Sequence, residues 1–297
     1  MNRRGFLGTA IGAGAAMLTP QWSLGTARAA GKYHLRYAPR LDFLKDELSI
    51  PARLDLFAEH GFDATEYNGL MTHPVAEVEA IRKKLDALGM DMGIFVANPA
   101  GWTTAGMVDP AQHDAFLAEL KKAVEYHKVI GNRCCTVITG PEVVGKPRGI
   151  QRRSVVDALK KAASVLEPTR LTVVVEPLNP INHAGYFLQT SDEAAEIMAT
   201  VGSSHVKILF DIYHQQVTEG NLIHNIRTHW DHIGYFQVGD VPGRKEPGTG
   251  EIHYRNVFKA VFDKGYKGMV GMEHGLSQPG RAGLLKCFAE YKAADTW

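Results

Sequence analysis

Four short apolar runs in the second half of the chain each end on a side chain able to hold a hard cation: LTVVVE on Glu176, VKILFD on Asp211, HIGYFQ on Gln237 and GMVGME on Glu273. Each lies roughly one strand-plus-helix unit from the next, so a fold that gathers strand ends would draw the four together. Three carboxylates and an amide oxygen form a donor set for a hard divalent cation. Mn²⁺ or Mg²⁺ is expected rather than structural zinc, because no thiolate set or histidine pair accompanies these strand ends. Such an ion polarises a carbonyl together with its neighbouring hydroxyl. A carboxylate on each side of the bound compound could then move a proton between adjacent carbons, which is the chemistry of ketose–aldose isomerisation and of epimerisation through an enediolate.

The elements that must position these groups can be read along the chain. YHLRYAP is a strand, followed by a helix from Ile50 to His60 that Ser49 can cap, with Pro51 in its first turn and Gly61 after its end. FDATEYNG is a second strand finishing near Glu66 and Asn68, then a helix spans Pro74 to Leu88 and MDMGIFVANP is a third strand. Asp109-Pro110 opens a long helix to Ile130, NRCCTVITG is the fourth strand, and Ile150 to Leu166 the fourth helix. The strand to Glu176 precedes a helix capped by Thr190 or Ser191. Val206–Asp211, a helix near Thr218 to Thr228, His232–Gln237, a helix near Tyr254 to Lys264, Gly268–Glu273 and a last helix from Arg281 to Ala293 complete the series. Eight alternating units without a linker predict an α/β fold, a single-domain (β/α)8 TIM barrel over residues 30–297. No Gly-x-Gly-x-x-Gly follows the first strand, which counts against a dinucleotide fold.

Composition adds exclusions. A formal net charge of +1 on 297 residues gives no reason to expect nucleic acid or an anionic membrane as a partner. Residues 1–29 carry paired Arg3 and Arg4, a glycine- and alanine-rich apolar run, and Ala27-Arg28-Ala29 before Ala30. That is the layout of an export signal of the twin-arginine class. The expected partner is therefore the twin-arginine export machinery and the destination the periplasm, with the signal either cleaved near Ala30 or held as an anchor. The three cysteines, Cys134, Cys135 and Cys287, supply no disulfide framework. Adjacent strand residues face opposite ways, so Cys134 and Cys135 read as two buried small side chains.

The motifs EPLN at Glu176, DIYH at Asp211, FQVGD ending on Asp240, PGR ending on Arg244, EPGTGEI from Glu246 and GME ending on Glu273 together resemble the hydroxypyruvate isomerase branch of the xylose-isomerase-like barrels. The resemblance covers nearly all of residues 30–297. It implies metal ligands at Glu176, Asp211, Gln237 and Glu273, with Glu176 and Glu273 also the catalytic acid/base pair. It implies that His214 contacts substrate oxygens, a rim histidine bonded to a loop carbonyl being the structural alternative. Arg244 suits a substrate carboxylate because guanidinium binds it as a fork, with Glu246 and Glu251 as competing partners. Glu66, at the end of the second strand, is a further candidate for lining the substrate pocket. The glycines of EPGTGE allow a tight turn and lack the lysine of a phosphate-binding loop.

The expected activity is isomerisation of a small α-hydroxycarbonyl compound, with hydroxypyruvate to tartronate semialdehyde as the named reaction. A sugar epimerase using the same site is an alternative, but the epimerase relatives carry a substrate-binding glutamate near where Asn182 stands. A periplasmic sugar-binding protein without turnover is another. A DNA-repair endonuclease, the chemistry of a related barrel family, fits poorly with near-neutral charge and the lack of a histidine-rich ligand set. The substrate partner is a carbohydrate or hydroxyacid, and homo-oligomerisation is left open.

Overall fold

The computed structural model describes residues 33–297 of the chain, and the expected export signal lies outside the described residues. Eight parallel strands form the centre: β1 (Arg36–Pro39), β2 (Ala64–Thr65), β3 (Asp91–Met92), β4 (Cys134–Val137), β5 (Thr172–Val175), β6 (Val206–Asp211), β7 (Ile233–Gln237) and β8 (Met269–Met272). Six of them pair in the order β1-β8-β7-β6-β5-β4, and β2 pairs with β3. Single bridges from Arg40 to Glu66 and from Val96 to Thr136 join the pair to β1 on one side and β4 on the other. The sheet curls back on itself as the (β/α)8 barrel reading requires.

The inside of the barrel is packed. Ile94, Cys134, Val174, Leu209 and Tyr235 form one buried cluster, with Met269 against it. Cys135 belongs instead to the main core between strands and helices. The two adjacent cysteines thus face opposite sides of β4 as strand geometry demands, both reduced and buried.

Most helices begin where local chemistry places them. α1 (Ile50–Glu59) is capped by the Ser49 hydroxyl, which accepts from the Ala52 N–H. α2 (Val75–Leu88) stops at Gly89 in the left-handed conformation. A 3₁₀ turn capped by Asp109 leads into α3 (His113–Ile130), and α4 spans Arg148–Leu166. α5 (Ser191–Val201) is capped by Thr190, α8 spans Tyr254–Asp263 and α9 spans Gly280–Ala294.

One region departs from the sequence reading. The single helix expected near Thr218 to Thr228 is two short helices, α6 (Ile212–Thr218) and α7 (Leu222–Thr228). α6 begins directly at the end of β6, because the Asp211 carboxylate caps it by accepting from the N–H groups of Tyr213 and His214. Gly220 and Asn221, both at positive φ, then break the path before α7. This early start puts His214 on the first turn of a helix, anchored to the strand end.

Candidate metal and active site

The register of the parallel strands sets the site. Asp211 lies opposite Gln237 across β6 and β7, and Gln237 lies opposite Gly271 on β8. Paired residues of neighbouring strands project to the same side, so Asp211 and Gln237 stand next to each other. Glu176 follows β5 directly and its N–H donates to the Val137 carbonyl at 3.1 Å. Glu273 follows β8 in the same way. Glu176, Asp211 and Gln237 are buried, and Glu273 keeps 17% of its side chain exposed.

Arg244 ties the carboxylates together. Its Nη2 donates to Asp211 Oδ2 at 2.6 Å and to Glu273 Oε2 at 2.7 Å, and its guanidinium lies 4.9 Å from the centre of the Tyr213 ring. The competing partners raised from sequence are engaged elsewhere. Glu246 accepts from the N–H and hydroxyl of Ser277, and Glu251 accepts from Gln216.

The electrostatics follow from burial of like charges. Burial pushes the Glu176 carboxyl well above its usual range, and the charges of Glu273 and Asp211 push it further. Asp211 is also raised by burial, against the opposing pull of Arg244 and its capping N–H bonds. For Arg244, burial works against the charge but is outweighed by Asp211 and Glu273, so its guanidinium is held more firmly charged than usual. One internal cation thus serves three acidic side chains.

His214 has a defined hydrogen-bonding state. Its Nδ1 accepts from the Asn179 N–H at 3.2 Å and from Asn179 Nδ2 at 2.7 Å. The Asn179 amide is itself oriented, because its oxygen accepts from the N–H groups of Ile181 and Asn182. Nδ1 is therefore the bare nitrogen, and the hydrogen of the neutral ring sits on Nε2. Nε2 lies 3.7 Å from Glu176 Oε1 and 3.6 Å from Asp211 Oδ2. Burial, helped by the Arg244 charge, lowers the ring to about 2, so it stays neutral. Glu176, Asp211 and His214 bring potential ligand atoms within 4.8 Å of one another, yet an Nε2 that carries hydrogen is set up to donate to an oxygen rather than to bind an ion.

Gln237 supplies a test of whether a cation fits. Its Nε2 donates to both oxygens of Glu66, at 3.3 and 3.4 Å, while its Oε1 is buried without a hydrogen-bond partner. A buried acceptor left unpaired is costly unless something binds it. An amide oxygen beside the carboxylates of Glu176, Asp211 and Glu273 is a donor set that suits a hard cation. Glu66, expected at the pocket lining, is 1% exposed and lies against Gln237 and the Tyr235 hydroxyl.

Three residues around the site were given no role there from the sequence. Asn68 donates to Glu273 Oε1, and Asn182 accepts from the Tyr213 hydroxyl at 2.8 Å. His183 packs between Trp102 and His214, with ring centres 5.6 and 5.3 Å away. Their positions depend on loops folding over the strand ends. Only the adjacency of Asn68 to a strand end was a usable one-dimensional signal.

The family model for xylose isomerase-like TIM barrels matches residues 54–286. The chain belongs to that family. It is 32% identical over 242 residues to 2-oxo-tetronate isomerase of Cupriavidus necator, covering 80% of this chain and 92% of the relative. It is 30% identical over 257 residues to hydroxypyruvate isomerase of Escherichia coli, covering 84% and 97%. A crystal structure titled as a family 2 AP endonuclease from Brucella melitensis matches with a TM-score of 0.77 at 27% identity, over 86% of this chain and 99% of that one. D-Psicose 3-epimerase from Clostridium cellulolyticum shares the fold, with a TM-score of 0.71 at 19% identity over 88% of this chain and 96% of that one. The names of the curated relatives support an isomerase.

Proposed function

We propose that this family member is a divalent-metal-dependent isomerase of a small 2-oxo acid bearing a hydroxyl on the next carbon, converting hydroxypyruvate to tartronate semialdehyde. The observation that carries the reading is the set of three carboxylates, on Glu176, Asp211 and Glu273, gathered at successive strand ends around the one guanidinium of Arg244. Those carboxylates and Gln237 Oε1 would hold the ion. When bound, it polarises the substrate carbonyl and the adjacent hydroxyl.

The chain's own groups then divide the work. Of Glu176 and Glu273, one removes a proton from the hydroxyl-bearing carbon and the other returns one to the former carbonyl carbon. An O–H proton moves the same way, from the hydroxyl oxygen to the former carbonyl oxygen, so two hydrogens pass from one centre to the next and the reaction needs no oxidant. His214 Nε2–H, fixed by Asn179, donates to a substrate oxygen. Arg244 meets the substrate carboxylate with its planar fork. Relatives acting on hydroxypyruvate and on 2-oxo-tetronate both support an acid substrate of this kind.

The test is an isomerase assay of the purified chain on hydroxypyruvate and on 2-oxo-tetronate, with Mn²⁺ or Mg²⁺ and again with chelator. Metal-dependent turnover of hydroxypyruvate is expected. Turnover of 2-oxo-tetronate alone would move the substrate within the class, and turnover of neither would refute the reading.

We also propose that residues 1–29 route the chain to the periplasm through the twin-arginine machinery, on the strength of Arg3, Arg4 and the Ala27-Arg28-Ala29 site. Cell fractionation should find the wild type in the periplasm and the Arg3→Lys/Arg4→Lys variant retained in the cytoplasm.

A further inference from the structure

We propose that Glu66 is a positioning residue whose buried carboxylate turns the Gln237 amide so that Oε1, and not Nε2, faces the cation. The inference rests on the metal-dependent reading above and adds to it a group that touches neither ion nor substrate.

A glutamine is an ambiguous ligand. Its two ends are nearly the same size, one donates and the other accepts, and only the accepting end can bind a cation. Something must therefore choose the orientation. In this barrel the choice is made from behind: Gln237 Nε2 sits 3.3 and 3.4 Å from the two oxygens of Glu66. Both Glu66 oxygens face Nε2 and one also receives the Tyr235 hydroxyl, so Glu66 serves as the acceptor, takes the N–H end of the amide and leaves Oε1 to the other side. That oxygen has no hydrogen-bond partner although it is buried, which is the state expected of a ligand held ready.

Glu66 is itself fixed. The Tyr235 hydroxyl donates to its Oε2 at 3.3 Å. Its backbone is stitched across to the first strand, with its N–H on the Pro39 carbonyl at 3.1 Å and the Leu41 N–H on its own carbonyl at 2.7 Å. Space for the arrangement comes from two glycines. A Cβ at Gly271 would fall on the Glu66 carboxylate, and one at Gly93 would lie 2.5 Å from the Tyr235 hydroxyl. β8 and the residue just after β3 thus omit side chains where this pair needs room. Groups that orient ligands from behind are worth about 10- to 100-fold in metal affinity.

The experiment measures Mn²⁺ affinity of the purified full chain by competition with a chelating dye, together with thermal unfolding of the metal-free protein. Glu66→Gln, nearly isosteric, should weaken Mn²⁺ binding by about 10- to 100-fold, because a neutral amide no longer selects the Gln237 orientation. Its metal-free Tm should stay level or rise, since a buried carboxylate has been removed. The exchange variant Glu66→Gln/Gln237→Glu should bind Mn²⁺ more tightly than Glu66→Gln. In it the amide lies behind and donates, and a carboxylate oxygen faces the ion. A purely structural role for Glu66 predicts the opposite pair of results, a lower Tm and no rescue by the exchange. Wild-type affinity in Glu66→Gln, or no recovery in the exchange variant, overturns the proposal while leaving the metal-dependent reading intact. A wild-type chain that binds neither Mn²⁺ nor Mg²⁺ overturns both.

Discussion

Asp211 and Asp240 are both wholly buried acidic side chains in the same half of the barrel, and they are satisfied in opposite ways. Asp240 is closed by main chain. Its Oδ1 accepts from the N–H groups of Val241 and Ile252 at 2.9 and 3.1 Å, and its Oδ2 from those of Gly248 and Gly250 at 3.0 and 2.8 Å. Asp211 gives only Oδ1 to backbone donors, and its Oδ2 meets the Arg244 guanidinium. A carboxylate whose oxygens are all held by backbone N–H groups cannot change partners without unmaking a loop. One whose outer oxygen meets a side chain can exchange that partner for another cation or for a substrate's proton. Burial alone therefore does not separate a functional acid from a structural one; the identity of the donors does.

The largest expected effect tests the functional side of that distinction. Glu176→Gln and Glu273→Gln should each lower kcat on the preferred 2-oxo acid by roughly 10²- to 10⁴-fold, with circular dichroism and Tm close to wild type. Full turnover in both variants would remove them from the acid/base role and leave the cluster a structural polar layer.

Next comes the structural side. Asp240→Ala leaves four N–H groups of the 241–252 loop without their acceptor, and each buried orphan costs about 1–3 kcal/mol. The loop carries Arg244, so a lower Tm should come with weakened substrate binding. Asp211→Asn, by contrast, should cost little stability in the metal-free protein, because it removes one of several buried like charges, yet it should weaken Mn²⁺ binding. If Asp211→Asn proved the more destabilising of the two, the donor-based distinction would fail.

Arg244 should show a smaller effect, confined to binding. Charge-assisted hydrogen bonds from its guanidinium to a substrate carboxylate would be worth about 1.5–3 kcal/mol, so Arg244→Met is expected to raise KM for a carboxylate substrate by about 10- to 100-fold. An uncharged ketose of similar size should be far less affected. Equal loss on both compounds would mean that Arg244 organises Asp211 and Glu273 and does not select the carboxylate.

Much of this was legible in sequence because strand ends are local. The apolar runs ending on Glu176, Asp211, Gln237 and Glu273 predict their own positions, since β5 to β8 each stop at or just before those residues. The caps at Ser49, Asp109 and Thr190 were equally local. What escaped depends on a partner far away along the chain. Asp211 read as a strand end, and its second task as the cap of α6 put that helix earlier than periodicity suggested. FDATEYNG and MDMGIFVANP read as full strands, yet β2 and β3 pair over two residues each, with single bridges completing the closure. Glu66 carries no one-dimensional mark of its position behind Gln237, which stands 171 residues later.

The mildest prediction concerns pH and separates two buried groups by sign. In the metal-free protein His214 is held neutral, its folded pKa near 2 against 6.5 for the free side chain. Its contribution is therefore present above about pH 6.5 and is lost as pH falls, because the unfolded chain binds a proton that the fold refuses. Glu176 runs the other way. Its folded pKa lies well above 4.5, so the unfolded chain releases a proton that the fold keeps, and its contribution is lost as pH rises. Between about pH 4.5 and 6.5 the two slopes oppose, each at most about 1.4 kcal/mol per pH unit. Denaturant unfolding with chelator present should find Glu176→Gln losing stability on acidification through that window, and His214→Gln losing it as pH rises. Wild type should lie between them. Parallel pH profiles for the two variants would mean that the carboxylate cluster and the histidine titrate together, and that Arg244 and Asn179 do not hold them in the separate states their hydrogen bonds describe.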